Sequence, residues 1–306
     1  MGRMLKIRNL APLFALGVCG CAGSRVVVRE YEHPQWGNVI HLANKEIEVI
    51  LAPGRGGRLM HYSRLGESNL LWTARDTNAW RDDATDWTNW GGEKTWPWPH
   101  ENWPVRMWPP PPEVEPPVFA VSEIRDLVIV YSFIPTRHPF GKDVALSTPK
   151  IERRFLFPEN GTRLQIHARF LSEDEPFSVW SVAQIPMTGK ITLERAEPRR
   201  LLLQLPGSDK ALAMADDNTV DLANTPGGTK GMMDADGFRV LTTQGTLVLR
   251  HDDGYGCHTT SDYDDVYHAQ IYKGDDNNGD AYVELEFAAP LSKLFSNTLG
   301  VSLSLE

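Results

Sequence analysis

Short runs of alternating or β-branched residues dominate the chain from residue 26 onward. A period of two residues is typical of strands with one buried face. The runs that predict strands cover 26–28, 39–42, 46–51, 58–62, 69–72, 118–121, 127–133, 151–157, 163–170, 177–185, 190–194, 201–205, 238–241, 246–251, 266–272 and 281–287. Neither an amphipathic helix longer than two turns nor a regular alternation of strand and helix interrupts them. The pattern therefore predicts an all-β fold, in its simplest form one large antiparallel sandwich.

The longest break in the strand pattern is an insertion over residues 73–117, which is rich in tryptophan and proline. It holds nine of the 22 prolines, and eight of the ten tryptophans lie between Trp72 and Trp108. A loop of this length in a compact domain is usually functional or disordered. Disordered segments are poor in aromatic residues, so the composition predicts an ordered loop that packs over a face of the sandwich.

The centre of this insertion combines flat aromatic rings with fixed polar groups, which suits the C–H faces and hydroxyl groups of a sugar. A Gly-Gly pair, which lets a backbone approach a ligand closely, precedes Glu93 and Lys94. These two side chains are predicted either to contact sugar hydroxyls, with Glu93 in acid/base chemistry, or to form a surface ion pair. His100, beside Glu101, is a candidate acid or one half of a solvated pair. The predicted sugar-binding tryptophans are Trp90, Trp96 and Trp98.

The N-terminus has the pattern of an export signal. Basic residues precede an apolar run over 10–18, which is shorter than the ~20 residues that a spanning helix needs. Val18-Cys19-Gly20 before Cys21 resembles a bacterial lipobox. We therefore predict a lipoprotein signal peptide over 1–20, lipidation of Cys21, a linker over 21–34 and a single domain over 35–306. The protein would then be held on a membrane of the cell envelope; an ordinary cleaved signal is the alternative.

Charge and cysteine content restrict the partners. The net charge of −9 argues against nucleic acid, which favours a basic surface. If Cys19 leaves with the signal and Cys21 is acylated, Cys257 is left alone, so no internal disulfide is predicted.

Two acidic segments are candidate metal sites. His258 with Asp262 and Asp264 could bind a metal. The acidic run over 275–280 also suits calcium, but an Asn-Gly hairpin turn explains that run more simply. We predict no cofactor and no metal.

Four segments occur in an order that resembles one known group. They are Ala52-Pro53-Gly54-Arg55-Gly56-Gly57-Arg58-Leu59, Gly91-Gly92-Glu93-Lys94-Thr95-Trp96-Pro97, Trp180-Ser181-Val182-Ala183-Gln184, and Tyr282-Val283-Glu284-Leu285-Glu286 followed by Pro290-Leu291. In that order they are similar to an uncharacterised bacterial domain family of the galactose-mutarotase-like (aldose 1-epimerase-like) superfamily. The resemblance covers roughly residues 35 to 300.

The resemblance implies a β-supersandwich with a sugar-binding cleft on a concave sheet. In epimerases of that superfamily a histidine is the general acid and a glutamate on a late strand is the general base. Glu284 and Glu286 both match the late glutamate and share a face; Glu286 is favoured because it directly precedes the matching 287–291 segment. The segment that matches the middle strand has no histidine, and His138 is a further candidate acid.

The same resemblance places an arginine near substrate, which makes Arg55 and Arg58 candidates for sugar binding; a capped turn with a salt bridge is the alternative. Trp180 and Gln184 lie four residues apart on one strand, so they share a face. They could bind a sugar, with the ring as a platform and the amide as a hydrogen-bonding group, or they could be a core pair. The predicted function is carbohydrate binding by an exported, lipid-anchored protein, with epimerase-type or lyase-type acid/base chemistry as a further hypothesis. One alternative is a non-catalytic cell-envelope module whose tryptophan-rich loop binds a protein. The other is a purely structural role, in which the tryptophans close the open end of the sandwich.

Overall fold

The computed structural model describes residues 26–75, 89–98, 119–124, 127–132, 151–170, 178–194, 201–205, 208–252, 269–274, 281–289 and 298–306. Every helix or strand assigned within these ranges is a β-strand. Within the same ranges, no helix has the length and apolar character needed to cross a membrane. The predicted all-β class is confirmed.

Twenty strands are numbered here in chain order. The first ten are β1 (Val27–His33), β2 (Gly37–Ala43), β3 (Ile47–Ala52), β4 (Arg58–Arg64), β5 (Glu93–Trp98), β6 (Phe119–Ile124), β7 (Leu127–Ser132), β8 (Ile151–Leu156), β9 (Leu164–Phe170) and β10 (Ser178–Pro186). The other ten are β11 (Lys190–Glu194), β12 (Leu201–Leu202), β13 (Met214–Asp216), β14 (Thr219–Asp221), β15 (Thr229–Met233), β16 (Gly237–Thr242), β17 (Gly245–His251), β18 (Ala269–Lys273), β19 (Tyr282–Ala288) and β20 (Thr298–Leu305).

These strands form two ten-stranded sheets in which every recorded pairing is antiparallel. The first sheet has the order β1-β2-β3-β4-β5-β10-β19-β18-β15-β12, and the second has the order β13-β14-β11-β16-β17-β20-β9-β8-β7-β6. Sequence neighbours often pair directly, as β1 with β2 and β16 with β17, whereas β5 pairs with β10 across a long connection. The predicted large antiparallel sandwich is confirmed.

The main core lies between the two sheets. Phe287 of β19 meets Phe238 of β16, with ring centroids 5.1 Å apart. Because side chains alternate along a strand, Leu285 and Val283 turn to the same inner side as Phe287, and both are buried. A smaller cluster that includes Trp36, Met60 and Trp72 is buried separately from this core.

The structure differs from the prediction of a loop over 73–117. Residues Glu93–Trp98 form β5, an internal strand that lies between β4 and β10. The tryptophans and proline of this segment hide its alternation, because both faces of the strand are buried or half-buried. Residues 76–88 and 99–117 of the predicted insertion lie outside the described residues.

Candidate functional site

Strand register decides which side chains share the outer face of the first sheet, the face turned away from the second sheet. Trp180 lies opposite Trp96, and Val182 lies opposite Lys94. On the next strand Glu284 lies opposite Gln184, and Glu286 lies opposite Val182. Since directly opposed residues of an antiparallel pair point to the same side, these side chains share one face. They alternate with the inner residues Ser181 and Phe287.

Two more strands extend this face. Gln270 of β18 lies opposite Glu286, and Lys230 of β15 lies opposite Tyr272, the residue that opposes Glu284. We call the six polar side chains of this face the polar patch: Lys94, Gln184, Lys230, Gln270, Glu284 and Glu286. Five of them are buried, and Lys230 is half-buried, with its side chain 20% exposed.

Glu286 has the most unusual surroundings in the polar patch. Its Oε2 accepts hydrogen bonds from Trp180 Nε1 and from Lys230 Nζ, both at 2.9 Å. Its Oε1 is buried without a hydrogen-bond partner among the described residues. Burial raises the pKa of Glu286, and the nearby charges of Lys230 and Glu284 act on it in opposite directions. This carboxyl group therefore holds a proton more readily than an ordinary glutamate.

Glu284 has a different set of partners. Its Oε1 accepts a hydrogen bond of 2.7 Å from Gln184 Nε2, and Lys94 Nζ lies 3.5 Å from the same oxygen. The Lys94 ammonium also lies 3.8 Å from the centroid of the Trp96 ring, as in a cation–π contact. Gln184 Oε1 is buried without a partner among the described residues, because its amide nitrogen is the atom that faces Glu284.

Gln270 adds a buried amide whose two polar atoms, Nε2 and Oε1, both lack a partner in the described part of the chain. Buried polar atoms are bonded in the great majority of cases. Together with Glu286 Oε1 and Gln184 Oε1, this amide leaves donor and acceptor capacity concentrated on one face. A ligand with its own hydroxyl groups could satisfy these atoms.

Two tryptophans, Trp96 and Trp180, border the polar patch with buried rings, so neither presents an exposed flat face. Trp96 and Trp180 meet edge to face with centroids 5.4 Å apart, and both are buried. Lys230 Nζ lies 5.0 Å from the Trp180 ring. Of the five tryptophans with described side chains, only Trp90 is half-buried, and the others are buried. A protein-binding surface of exposed tryptophans, the alternative considered from the sequence, is not seen in the described residues.

Glu93 does not join the polar patch, which corrects the prediction that it acts in acid/base chemistry beside Lys94. Adjacent residues of a strand point to opposite faces, so Glu93 turns inward. Its Oε2 forms an ion pair with Arg153 of β8, and its Oε1 accepts a hydrogen bond of 3.0 Å from Ser181 Oγ. Arg153 also donates to the Gly57 carbonyl at 2.5 Å. Glu93 is fully buried and ties the two sheets together.

Arg55 and Arg58 lie beside the patch, against Trp90. Their guanidinium carbons lie 5.3 Å and 5.4 Å from the centroid of that ring. Arg58 is fully buried and donates a hydrogen bond of 2.7 Å to the Gly91 carbonyl. This bond fixes the turn at Gly91 and Gly92, whose positive φ angles of 83° and 75° favour glycine. The observed contacts of Arg58 therefore hold the start of β5.

Several predicted residues cannot be placed. His100, Glu101, His138, Cys21, Cys257, His258, Asp262, Asp264 and the acidic run over 275–280 lie outside the described residues, and the Trp98 side chain is also not described. Among the described residues, no group of three or more potential ligands could hold a metal ion. The described histidines lie on β1, β2, β4, β9 and β17 and not on the strands of the polar patch.

Sequence reasoning missed Lys230 and Gln270. Gln270 lies within a predicted strand, but a single glutamine gives no sign that its partners are absent. Lys230 lies in β15, whose sequence Thr-Lys-Gly-Met-Met has a weak strand pattern because of its glycine. Burial shows the alternation that the sequence hides: Thr229, Gly231 and Met233 are buried in β15, and the residues between them are half-buried.

Comparisons with known proteins support this fold. No protein-family model matches the chain, and no curated protein matches it by sequence. The Slr1438 protein of Synechocystis sp. PCC 6803 is similar in structure, with a TM-score of 0.55, 13% identity and coverage of 95% of this chain and 100% of that one. A candidate aldose 1-epimerase of Escherichia coli K12 gives a TM-score of 0.52 with 11% identity, and the match covers 92% of this chain and 99% of that one.

A third structure, that of the protein HI1317, gives a TM-score of 0.53 at 10% identity and covers 92% of this chain and 100% of that one. These three matches each extend over nearly the whole of both chains. At such low identity the likeness concerns the fold. The chain has the galactose-mutarotase-like β-supersandwich fold that the resemblance of its four segments implied.

Proposed function

We propose that this protein binds a carbohydrate at the polar patch on the outer face of its first sheet. The observation that carries the proposal is the set of buried polar atoms without partners among the described residues: Gln184 Oε1, Glu286 Oε1 and both polar atoms of Gln270. Leaving such an atom unsatisfied costs about 1–3 kcal/mol. Four of them on one face favour a ligand that supplies the missing hydrogen bonds.

The chemistry of the patch favours a sugar over a charged ligand. Lys94 and Lys230 balance Glu284 and Glu286 in formal charge, and each lysine is already near a glutamate. The atoms without partners include both a donor and acceptors, which matches hydroxyl groups because they donate and accept. The candidate aldose 1-epimerase of similar fold acts on an aldose by its name. This analogy supports the proposal only at the level of the fold.

Glu286 is the candidate acid/base group. A general base needs a free acceptor atom within reach of a substrate proton, and Glu286 Oε1 meets the first condition. Its raised pKa brings the carboxyl group closer to neutral pH than an ordinary glutamate, a common feature of catalytic carboxyls. Chemistry of the epimerase type at this residue remains part of the proposal.

The cellular location is proposed from the sequence. We propose that the protein is exported and anchored to a membrane of the cell envelope by acyl chains on Cys21, because the first 24 residues have the order of a lipoprotein signal. Labelling with tritiated palmitate tests this. Incorporation into the full chain that is lost in Cys21→Ser is expected. Equal labelling of both chains, or none in either, would contradict the anchor.

A screen of monosaccharides and glycans against the chain without residues 1–20 tests binding. Trp180 donates directly to Glu286, so a bound sugar should change the intrinsic tryptophan fluorescence. Saturable binding is expected for the wild-type chain, with a loss of at least about tenfold in Gln270→Ala, since each lost hydrogen bond costs about 1 kcal/mol or more. The exposed Gln204 offers the matched control Gln204→Ala. No binding to any sugar, or equal binding by Gln270→Ala, would refute the proposal.

A further inference from the structure

The lysine of β15 contacts the carboxylate that is proposed for acid/base chemistry. Lys230 Nζ lies 2.9 Å from Glu286 Oε2. Of the two lysines in the polar patch, Lys230 is the one paired with Glu286, whereas Lys94 lies near Glu284. The Lys230 side chain is 20% exposed, whereas that of Glu286 is fully buried. Lys230 is therefore the more solvent-accessible member of this ion pair. Its ammonium has three hydrogens, and one of them meets Glu286.

The other oxygen of Glu286 completes a donor–acceptor pair. Oε1 is a buried acceptor without a partner among the described residues, while Oε2 is occupied by Trp180 and Lys230. An acceptor and an N–H donor are thus held next to each other by one carboxylate. The anomeric hydroxyl oxygen and the ring oxygen of a pyranose are bonded to the same carbon, so they are also close neighbours. One needs a base and the other an acid when the ring opens.

We propose that Lys230 is the general acid that works with Glu286 as general base in opening and reclosing an aldopyranose ring. This inference rests on the proposed function, because it needs a sugar at the polar patch. In this inference a lysine is the acid. The segment that matches the middle strand of the superfamily has no histidine for that role.

The proton balance of the step is complete. Glu286 Oε1 takes the proton of the anomeric hydroxyl, the carbonyl bond forms, and the bond between the anomeric carbon and the ring oxygen breaks. The ring oxygen takes a proton from the Lys230 ammonium and becomes a hydroxyl group. After rotation of the open-chain aldehyde, the same two protons return: the hydroxyl gives its proton to the Lys230 amine, and the Glu286 acid protonates the carbonyl oxygen. No oxidant, metal or other reactant is consumed.

Burial favours this exchange. Before the step the pair carries one negative and one positive charge; in the open-chain complex both groups are neutral. Moving charges away from water is costly, so a buried site disfavours the charged pair more than the neutral one. The raised pKa of Glu286 is consistent with this surrounding. Lys94 fits the role less well, because its ammonium lies 3.5 Å from Glu284 and 3.8 Å from the Trp96 ring centroid, on a fully buried side chain.

Replacement of lysine by arginine separates proton donation from charge. Arginine keeps the positive charge and can still pair with Glu286, but it does not lose its proton in proteins. Polarimetry can follow the approach to anomeric equilibrium of freshly dissolved α-D-glucose, α-D-galactose and N-acetyl-α-D-glucosamine. The chains to compare are wild type, Lys230→Arg, Lys230→Gln and the exposed control Lys190→Arg. Binding of the same sugars is measured by tryptophan fluorescence on each variant.

The wild-type chain should accelerate the approach to equilibrium of at least one sugar. Lys230→Arg should bind that sugar within about threefold of wild type and lose about 10²-fold or more in rate, which is the usual contribution of a general acid. Lys190→Arg should match wild type in both assays. Sugar binding without any acceleration by the wild-type chain, or full acceleration by Lys230→Arg, would overturn the inference and leave binding intact. Absence of sugar binding would refute the proposed function itself.

Discussion

Two buried glutamates of the first sheet, Glu93 on its inner face and Glu286 on its outer face, are each paired with a cation, but they differ in what they leave unsatisfied. Both carboxylate oxygens of Glu93 are bonded, one to Arg153 and the other to Ser181. Glu286 has both partners on Oε2 and none among the described residues on Oε1. A satisfied buried carboxylate holds a structure together, whereas a half-satisfied one is available for a ligand.

The largest effect should come from breaking the inner pair. Arg153→Met leaves the Glu93 carboxylate buried without its cation, which costs about 3–5 kcal/mol in the free energy of unfolding. Denaturant unfolding of wild type and variant measures this loss. Arg239→Met is the control, because Arg239 contacts Glu194 and Glu306 near the surface, where an ion pair contributes about 1 kcal/mol or less. Equal midpoints for Arg153→Met and wild type would contradict the structural role of the pair.

Replacing the outer glutamate should have a much smaller effect on stability. In Glu286→Gln the amide oxygen can still accept from Trp180 and Lys230, and the buried charge is removed. We expect the free energy of unfolding to stay within about 1 kcal/mol of wild type. The matched variant Glu93→Gln loses the ion pair with Arg153 and should unfold at clearly lower denaturant concentration. If Glu286→Gln were the less stable of the two, the distinction between the two glutamates would be wrong.

The pH dependence of stability should also differ between wild type and Glu286→Gln. Because the pKa of Glu286 is raised in the folded protein, the folded state keeps this proton at pH values where the unfolded chain has lost it. The free energy of unfolding should therefore fall as pH rises from the ordinary glutamate value of 4.5 through the raised folded value. Glu286→Gln lacks this contribution, so its stability relative to wild type should improve over that interval. A difference that is constant with pH would contradict the raised pKa.

The smallest effect is expected from Trp180→Phe, which removes one donor to Glu286 but keeps an aromatic ring. The hydrogen bond from Trp180 favours the ionised carboxylate and lowers the pKa of Glu286. Its loss should raise that pKa further. If Glu286 must be ionised to act as a base, the mutarotation rate falls at low pH. In a plot of rate against pH, this low-pH limb should lie at higher pH for Trp180→Phe than for wild type. An unchanged limb would show that Glu286 does not control the rate.

The sequence predicted the all-β fold because short runs of alternating or β-branched residues are typical of strands, as in β9 and β11, where buried residues alternate with less buried ones. The sequence also named Lys94, Trp96, Trp180, Gln184 and Glu286 as candidates, and the strand register places these five side chains on one face. The resemblance pointed to most of these residues, and alternation within one strand predicted that Trp180 and Gln184 share a face. Whether each contacts a sugar stays a prediction.

The error at Glu93 has a simple origin. Residues 93–98 have no polar positions that alternate with apolar ones, so the segment did not indicate a strand. Without a strand, the rule that adjacent residues face opposite sides could not be applied to Glu93 and Lys94. The partner that explains Glu93, Arg153, is 60 residues away in the other sheet, and such a contact leaves no local pattern.

Lys230 and Gln270 were missed for a related reason. Their importance depends on strand order, since β15 and β18 reach Glu286 only through the sequence β19-β18-β15 in the sheet. Pairing over such distances along the chain is decided by the packing of the whole sandwich. Single-strand patterns therefore predict the faces of strands better than the neighbours of a side chain.

Sugar binding by the polar patch around Glu286 can be measured as heat of binding. Isothermal titration calorimetry measures this binding with the monosaccharide that the fluorescence screen selects. The chains are wild type, Glu286→Gln and the control Glu194→Gln, whose half-buried carboxylate lies on β11 of the second sheet. We expect saturable heat for wild type and Glu194→Gln. Glu286→Gln should bind at least about tenfold more weakly, since a hydrogen bond to a charged group contributes about 1.5–3 kcal/mol. Equal affinities for all three chains would contradict sugar binding at the polar patch.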